Sequence, residues 1–515
     1  MKKYLNKYMN SLPEKFNKEF IMSRDDQQIL KYAKDILKSL EILPEIHIDE
    51  NDIRLDTDEA SFGPIKQQGK YYKSVLPSRF NKLHFKVKID GVDKPIEKDL
   101  FINKMLDNCF YINEGVRYFL IWQIVDAATY GFGNGTSFKT RLMPITMLSP
   151  FKFDLEPEFG KPIVTNLNMY EAALFKGKVS PFLYIIVRKA LESLAAAGME
   201  KIDDLDTYLN YQDESILDYI REFYEIPIKF SDNLEDLCMD DWTTFAVKND
   251  KETGIYFSIP DDLVNTPEGR AFIASFGYIK LQEKKSTKKR KLIFKYDDLI
   301  RPSFWINQLA TIFNNSNDPF KKYEKVKTIY LSLIRVIDEP VRKTVPIDPK
   351  YKEDVFSIFK YEMLYFNELA NSDGQDLTNK RIRLYEYMLY PLCSYFSQKI
   401  YQIWNAPNKN VQMIEKIFTG LTPLYLVKQC ITSELLRYYN ATNEFDLYTA
   451  LLKYTFHGPQ GYTESVSIDQ RSINPSYTGR LSLVASSAGN PGTTGTMVPF
   501  VKIYDGYFVK QNIKN

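Results

Sequence analysis

The period of the hydrophobic residues changes several times along the chain, and these changes limit the folds that the chain can adopt. Between Gln27 and Leu40 the apolar residues recur about every 3.6 positions, which predicts a helix. From residue 46 to about residue 98, short alternating runs such as LHFKVKI predict strands and hairpins. Helical periodicity returns from Tyr323 to Trp404, with breaks at prolines. The pattern therefore favours a fold that contains both helices and sheets.

The size and charge of the chain set further bounds. A chain of 515 residues is long enough for about two to four domains, and its 44% of hydrophobic residues can form a buried core. Lys and Arg (68) nearly balance Asp and Glu (66), so any contact with nucleic acid must come from local basic patches. No uninterrupted apolar stretch approaches about 18 residues, and we expect no membrane span.

The cysteines and histidines indicate neither a metal site nor a nucleophile. The four cysteines form no C-x-x-C pair and, with no signal peptide at the N-terminus, they predict reduced thiols of an intracellular protein. The histidines lack the spacing of a zinc site and of a catalytic triad. The acidic residues between 200 and 300 do not form a D-x-D-G-D cluster. We therefore expect this chain to bind no cofactor of its own.

The stretch from Ser467 to Phe500 carries the most specific pattern in the chain. It contains Arg471 and Arg480 in the frame Arg-x-x-x-Pro-x-x-x-Gly-Arg, followed by a loop rich in Gly, Ser and Thr. Residues 458–461, just upstream, read Gly-Pro-Gln-Gly. One interpretation is a surface loop rich in turn-forming residues. The other is a family likeness, because this frame and its flanking loops resemble the fork region of the β subunit of multisubunit RNA polymerases.

Three further segments resemble the same family, in the same order along the chain. Residues 107–125 keep the frame of a β-subunit hairpin in Asn113 and Arg117, although the family's Gly is displaced to Gly115. Residues 180–192 resemble an apolar helix that follows a proline, and residues 379–383 resemble the basic segment before the second helix of the protrusion domain. The resemblance covers most of the chain and is thin in the first 90 residues and at 200–300.

The resemblance implies a multidomain α+β architecture, that of the N-terminal part of a β subunit with its protrusion, inserted lobe and fork. We expect an N-terminal segment and the first part of the protrusion at 1–150, and the lobe with connecting helices at 151–375. The second part of the protrusion is expected at 376–440, and the fork region with the start of the split core domain at 441–515. This architecture agrees with the hydrophobic periodicity.

The resemblance also implies a function, that of the N-terminal half of a β subunit divided into two polypeptides, as in the RNA polymerases of giant bacteriophages. The chain would form one wall of the DNA cleft and the fork that contacts the downstream bubble and the RNA–DNA hybrid. In the family the Asp triad that binds Mg²⁺ belongs to β′, so this chain would be inactive alone and the assembled enzyme would hold Mg²⁺ through its β′ partner.

The expected partners follow from the same resemblance. They are the C-terminal β chain, the β′ chains, a promoter-specificity factor, the DNA template and the RNA transcript. The expected location is the cytoplasm of the infected host cell, with packaging in the virion left open. An alternative function is a structural or packaged phage protein that descends from a β subunit and has no polymerase activity. A self-contained enzyme is disfavoured, because the sequence has no cluster of metal ligands and no nucleophile.

The candidate site residues lie in the fork region. The turn-forming residues Gly458, Pro459 and Gly461 are expected to form a short, mobile fork loop. The expected contacts to nucleic acid or nucleotide are Lys453, Arg471, Arg480 and Tyr462. The cations would bind phosphate, which a guanidinium can engage with two donors, and the tyrosine would stack on a base. For either arginine, the alternative is a buried structural ion pair.

Three other segments carry local predictions. The glycine-rich residues 130–136 predict a mobile loop rather than a nucleotide cradle, because they lack the lysine of a P-loop. The basic run at 284–291 predicts either a solvated hairpin tip or a contact with duplex phosphates. Strand-forming residues around Asp505-Gly506 predict a hairpin with an apolar edge strand, which is expected to pair with another chain.

Overall fold

The computed structural model divides the chain into two compact units. The first unit comprises Met1–Ala127, Arg141–Met143 and Asp373–Asn515, and the second comprises Ala128–Thr140 and Pro144–Ser372. In the sequence, the second unit therefore lies between the two main parts of the first unit. The residues that the structure describes are 26–56, 66–67, 70–71, 79–106, 110–113, 116–139, 144–161, 163–174, 177–199, 202, 204–248, 254–285, 295–313, 318–334, 350, 354–384, 386, 388–406, 410–431, 435–438, 442–463, 466–486, 492–504 and 506–509.

The described residues form both helices and strands, which is consistent with the α+β class. The α-helices are α1 (Asp26–Lys38), α2 (Pro181–Ala196), α3 (Leu205–Asn210), α4 (Ser215–Tyr224), α5 (Pro267–Lys285), α6 (Pro302–Phe313), α7 (Pro319–Ile334), α8 (Val355–Leu364), α9 (Phe366–Ala370), α10 (Tyr390–Asn405), α11 (Val411–Thr419), α12 (Tyr425–Ile431) and α13 (Glu444–Leu451). Within this part of the chain, no helix combines the length and the apolar character that crossing a membrane requires.

The strands are short and distributed over both units. They are β1 (Ile46–His47), β2 (Arg54–Asp56), β3 (Lys66–Gln67), β4 (Lys70–Tyr71), β5 (Phe80–Ile89), β6 (Ile96–Asn103), β7 (Tyr111–Asn113), β8 (Val116–Leu120), β9 (Trp122–Asp126), β10 (Thr129–Phe132), β11 (Gly135–Lys139), β12 (Pro144–Leu148), β13 (Lys152–Leu155), β14 (Val164–Asn168), β15 (Glu171–Leu174), β16 (Gly177–Val179), β17 (Lys229–Ser231), β18 (Trp242–Lys248), β19 (Ile255–Pro260), β20 (Lys380–Arg383), β21 (Leu436–Tyr438), β22 (Lys453–Thr455), β23 (Leu481–Ser486), β24 (Thr494–Met497), β25 (Ile503–Tyr504) and β26 (Tyr507–Phe508).

The elements predicted near the N-terminus are confirmed. The helix expected at 27–40 is α1, which continues into a 3₁₀ turn at Ser39–Ile42. The strands expected between 46 and 98 include the antiparallel hairpin of β5 and β6, with β1 and β2 also paired to β5. Leu83, Phe85 and Val87 are alternate residues of β5 and are fully buried. This is the burial that the period-two pattern of LHFKVKI predicts, because successive side chains of a strand point to opposite faces.

A mixed sheet with seven strands in the described part of the first unit joins distant segments of the chain. Its strand order is β23-β24-β22-β9-β20-β26-β25. β9 lies in the middle, where it pairs antiparallel with β20 and parallel with β22. The side chains of β9 are buried from Trp122 to Val125. We call this the central sheet; residues 122–126, 380–383 and 453–455 are adjacent strands of it.

The second unit contains a cluster of buried aromatic rings. Phe272 and Phe276, one turn apart on α5, have ring centroids 4.9 Å apart. Phe257 of β19 lies 5.0 Å from Phe272, and Phe182 of α2 lies 4.8 Å from Phe276. Tilted and edge-on ring contacts of this kind stabilise a core beyond the burial of apolar area alone. Packing of these rings therefore joins α2 and β19 to α5.

Two hairpins and one helix follow the sequence predictions. β7 and β8 form the hairpin expected near residue 113. The helix expected from the resemblance at 180–192 is α2, and the chain leaves it through Gly198, whose φ is 75°. Ser180 precedes this helix, and its hydroxyl makes no capping hydrogen bond. At the other end of the chain, β25 and β26 form the expected hairpin, although Asp505 lies outside the described residues.

The C-terminal hairpin extends the central sheet. β26 pairs with β20 through Arg381 and Tyr507, and β25 pairs with β26. β25 is therefore an edge strand of the sheet, and Tyr504 on it is 79% exposed. The prediction of an edge strand in this segment is confirmed, whereas its pairing with another chain stays a prediction.

The mobile loop predicted at residues 130–136 is wrong, because these residues form the hairpin of β10 and β11. A Cβ atom on Gly131 would lie 1.5 Å from the carbonyl oxygen of Leu369, so close backbone packing explains the glycine at this position. Of the basic run, Lys284 and Lys285 belong to the end of α5. The remainder of that run, and with it the predicted tip or phosphate contact, lies outside the described residues.

We predict that Glu362 makes the stability of the protein depend on pH. This residue of α8 is fully buried, and burial raises the pKa of its carboxyl from 4.5 to about 8. Between these values the folded state holds a proton that the unfolded state has lost. The contribution to stability is therefore complete below about pH 4.5 and is lost as the pH rises through about 8, by about 1.4 kcal/mol per pH unit.

The substitution Glu362→Gln mimics the protonated carboxyl and should remove this part of the pH dependence. Urea denaturation of the full chain at about pH 6 and about pH 8 measures the change for each variant. Glu368→Gln, on the neighbouring helix α9, is the matched control because this carboxylate is exposed. The prediction fails if Glu362→Gln and the parent chain lose the same free energy of unfolding between the two pH values.

Candidate functional site

Two polar side chains face each other in the middle of the central sheet. Gln123 of β9 and Arg383 of β20 are directly opposite in register, and both are buried. The Nε of Arg383 donates to the Oε1 of Gln123 at 2.9 Å. Opposite residues of an antiparallel pair lie on the same face of a sheet, which is why these side chains meet. The pairing of the strands thus places a guanidinium and an amide at one point of the core.

A tight turn follows β22 at residues 458–461, which we call the 458–461 turn. The N–H of Gly461 donates to the carbonyl of Gly458 at 2.9 Å, and the N–H of Tyr462 donates to the carbonyl of Phe456 at 2.8 Å. Gly458 has a φ of 108°, a conformation that glycine adopts without steric cost. A Cβ atom on Gly461 would lie 2.3 Å from the carbonyl oxygen of Phe456. Both glycines are therefore required by this backbone conformation.

The side chains of Gln123 and Arg383 hold the 458–461 turn against the sheet. The Nε2 of Gln123 donates to the carbonyls of His457 and Pro459, at 3.0 Å each. Arg383 donates to the carbonyl of Pro459 and, at 3.0 Å, to the Oε1 of Gln460. We call the two residues the Gln123–Arg383 clamp. Buried side-chain donors thus bind carbonyls that a free loop would present to water, and the mobility expected of this loop stays a prediction.

Arg383 carries a positive charge into the core. Burial, and then the charge of the neighbouring Arg381, lowers the pKa of its guanidinium to about 10. Because this pKa is far above neutral pH, the group stays protonated and its hydrogen bonds to the clamp and the turn are charge-assisted. Arg381 pairs with Glu386 at 2.8 Å, and Arg383 lies 3.8 Å from the same carboxylate. The single carboxylate of Glu386 therefore lies near both guanidiniums and is closer to that of Arg381.

A stack of aromatic rings lies beside the turn. The rings of Phe456 and Tyr462 are nearly parallel, with centroids 5.3 Å apart, and Tyr477 continues the stack 6.4 Å from Phe456. The Nζ of Lys380 lies 5.3 Å from the centroid of Tyr462 and pairs with Asp126 at 2.6 Å. The ring that was predicted to stack on a base is thus already engaged by another ring and by a cation.

The three predicted cations lie in different environments. Arg480 is only 9% exposed, and its guanidinium donates to the carbonyls of Ser476 at 2.7 Å and Val509 at 3.1 Å. Its position is a buried structural one, although these acceptors are backbone carbonyls and not the carboxylate of the predicted ion pair. Lys453, at the start of β22, and Arg471 are exposed. Of the three, these two therefore present positive charge at the surface.

The sequence alone gives only a weak signal for the clamp. Gln123 interrupts the apolar run Phe119–Val125, and a single amide in a buried strand signals a hydrogen-bond partner in the core. Arg383 belongs to a basic segment that resembles the polymerase family, but nothing in that segment shows that its side chain points inward. No group of three or more His, Cys, Asp or Glu within the described ranges could hold a metal ion.

The arrangement suits binding and positioning. Exposed lysine and arginine attract the phosphates of a nucleic acid, and the strength of such contacts depends on salt. The clamp fixes the backbone of the neighbouring turn, so that its shape does not have to be selected when a ligand arrives. Of this arrangement, the structure shows a fixed turn and two exposed cations, Lys453 and Arg471.

Comparison with known proteins identifies a family for the whole chain. A family model described as a non-virion RNA polymerase subunit matches residues 1–510. No curated protein matches the chain. The family match includes both units and every residue of the candidate site.

We predict that Gly461→Ala destabilises the first unit, because its methyl group must displace the carbonyl of Phe456 from a distance of 2.3 Å. The expected loss is roughly 1–3 kcal/mol in the free energy of unfolding, as at other overpacked positions. Urea denaturation of the full chain measures it. In the control Gly374→Ala the new Cβ meets no atom within 4 Å, and the change should stay within about 0.5 kcal/mol. Equal stability of the two variants would contradict the tight turn.

Proposed function

The chain belongs to the family of non-virion RNA polymerase subunits, and on this basis we propose that it is the N-terminal part of a β subunit divided between two polypeptides. As a subunit of an RNA polymerase, it belongs to a nucleotidyltransferase complex and works with other polymerase subunits. In the proposed assembly it forms one wall of the DNA cleft, and its fork contacts the downstream bubble and the RNA–DNA hybrid.

The observation that carries this proposal is the composition of the central sheet. Three of the segments that resemble β subunits contribute strands to it: residues 107–125 contribute β9, residues 379–383 contribute β20, and residues 467–500 contribute β23 and β24. Short motifs that match a family by chance have no reason to pair with one another in space. Their contact supports one continuous domain inherited from a β subunit, with the 458–461 turn in the place of the fork loop.

The division into two units supports the proposed domain order. The second unit is built from chain inserted between the two main parts of the first, as the lobe is inserted between the two parts of the protrusion in the proposed assignment. The chain leaves the first unit after Ala127 and returns to it at Asp373. The return at Asp373 lies close to the assigned end of the lobe at 375, whereas residues 128–140 and 144–150, which the assignment gives to the protrusion, belong to the second unit. The assignment has protrusion segments at 1–150 and 376–440, the lobe at 151–375 and the fork region at 441–515.

We assign different roles to the candidate site residues. Lys453 and Arg471 are exposed, and we propose that they bind phosphates of the RNA–DNA hybrid or of the incoming nucleotide. Arg480 and Tyr462 make their contacts within the protein, and we propose that they support the residues that form the binding surface. Gly458 and Gly461 have no side chains, so we propose that these glycines and Pro459 let the backbone of the turn approach the nucleic acid closely.

In the proposed enzyme, catalysis and nucleic-acid binding are carried out by different chains. Joining a 3′-hydroxyl to an α-phosphate requires metal ions that stabilise the entering and leaving oxygens. We assign the ligands of Mg²⁺ to a β′ chain, while this chain binds and separates the nucleic-acid strands. The further partners would be the C-terminal β chain and a promoter-specificity factor. Membership of a non-virion family supports action in the infected cell and counts against the packaged alternative.

We predict that this chain is necessary for transcription but cannot synthesise RNA alone. Reconstitution of the polymerase with one chain omitted at a time, in the presence of Mg²⁺ and a template, measures both properties. Template-directed synthesis should require this chain together with a chain that contributes the catalytic Asp triad. RNA synthesis by this chain with Mg²⁺ alone would overturn the assignment.

We predict that Arg471→Ala and Lys453→Ala weaken the elongation complex and reduce its dependence on salt. Each lost phosphate contact should lower the slope of log K against log[salt] by about 1. Dissociation of assembled complexes at several salt concentrations measures this slope. Lys416→Ala is the matched control, since it removes an exposed cation from α11. Unchanged slopes for both site variants would show that neither residue meets a phosphate.

A further inference from the structure

The Gln123–Arg383 clamp directs most of its hydrogen bonds at the 458–461 turn and its flank. Of the five hydrogen bonds that the two side chains make with described residues, four end on His457, Pro459 or Gln460, and one joins the two clamp residues. The strands β9 and β20 are already paired along four residues through their backbones. The side chains therefore add little that the sheet needs, and their hydrogen bonds determine the conformation of the turn.

Stability alone gives no reason for this pair. A buried guanidinium and a buried amide lose their hydration, and well-packed apolar residues of similar volume often make a core as stable or more stable. The clamp offsets the lost hydration with hydrogen bonds whose acceptors lie on the turn. What the pair provides, and apolar residues would not, is a single conformation for residues 457–460.

The base of the turn is also held from another side. The N–H of Phe456 donates to the carbonyl of Thr493 at 2.9 Å, and the Nε2 of His457 lies 2.9 Å from the hydroxyl oxygen of Thr493. Thr493 directly precedes β24, the neighbour of β22 in the sheet. Strands on both sides of β22 thus fix the turn, so that its position follows from the geometry of the sheet.

We propose that Gln123 and Arg383 are positioning residues, which set the place of the 458–461 turn against the nucleic acid at the fork. The inference rests on the proposed function, because it requires that the turn meets DNA or RNA. The clamp residues do not themselves touch the nucleic acid. They act through the carbonyls of His457 and Pro459 and through the side chain of Gln460, and a released turn would sample several positions instead of one.

Photocrosslinking in the reconstituted polymerase tests the proposal. A photoreactive amino acid replaces Thr463, an exposed residue that follows the turn. Elongation complexes on a defined template are irradiated, and the crosslinked nucleotide is mapped. With the parent clamp, we expect crosslinks concentrated at one main nucleotide near the downstream edge of the bubble.

The informative variant is Gln123→Glu. Its carboxylate keeps an acceptor for the Nε of Arg383 but has no N–H for the carbonyls of His457 and Pro459, so two of the four hydrogen bonds to the turn and its flank are lost while the strand pairing is retained. We expect the crosslinking yield at the main nucleotide to fall on the order of tenfold, with new crosslinks at neighbouring nucleotides. Because the new carboxylate faces two carbonyl oxygens in the core, the denaturation midpoint of the full chain should fall, and circular dichroism checks that the variant still folds.

Two further variants complete the design. Arg381→Lys is the matched control, because Arg381 lies on the same strand and pairs with Glu386. It should leave the crosslink pattern unchanged. If Gln123→Glu does not fold, Gln460→Asn provides the test of the positioning role. Asparagine tolerates the φ of 59° at this position, but its side chain is too short to reach Arg383. We expect it to reduce the yield at the main nucleotide several-fold.

The outcomes separate this inference from the proposed function. If the parent clamp gives no crosslink to DNA or RNA, the fork assignment of the turn is wrong and the positioning role falls with it. If the parent clamp crosslinks and the folded clamp variants give the same pattern, the fork assignment stands and the positioning role is overturned. A spread of crosslinks in the clamp variants, without a change in Arg381→Lys, supports the inference.

Discussion

The first unit depends on the pairing of β9 on both of its sides. β20 lies antiparallel on one side and β22 parallel on the other, so three segments from distant parts of the chain must meet before the sheet exists. The polar pair of Gln123 and Arg383 lies at this junction, and the 458–461 turn is held by it. The aromatic stack of Phe456 and Tyr462 continues from the same strand β22. The geometry of the candidate site is therefore a consequence of strand pairing.

Hydrophobic periodicity and turn signals predict local structure, but they do not predict contacts between residues that are distant in the sequence. The helix at 27–40, the strands at 46–98 and the C-terminal hairpin each follow from a periodicity or turn signal within their own residues. The glycines at 130–136 predict a loop, but the structural reason for Gly131 is the nearby carbonyl of Leu369, which no local pattern contains. The clamp was missed for the same reason, since the partner of Gln123 is fixed only by the register between β9 and β20.

Arginine serves opposite purposes within this one unit. The guanidiniums of Arg383 and Arg480 point inward and bind amide or carbonyl oxygens, whereas Arg471 lies at the surface. A planar group with several fixed donors can join several backbone segments at once, which a lysine ammonium does less well. The segments that resemble β subunits contain these arginines, but the resemblance does not indicate the direction in which each side chain points. Direction is decided by the alternation of side chains along a strand and by what the neighbouring strand supplies.

The place where the chain leaves and rejoins the first unit has a consequence for the order of folding. Asp126 and Lys380 form an ion pair across 254 residues of sequence, and the N–H of Ala127 donates to the carbonyl of Asn379. On the ribosome, β9 emerges well before its two neighbours, because the whole second unit is translated between them. The entropic cost of closing a chain loop rises only slowly with loop length, and a second unit that has already folded shortens the loop further. The central sheet is thus completed late in synthesis. Until then, β9 has neither of its neighbouring strands, β20 and β22, to pair with.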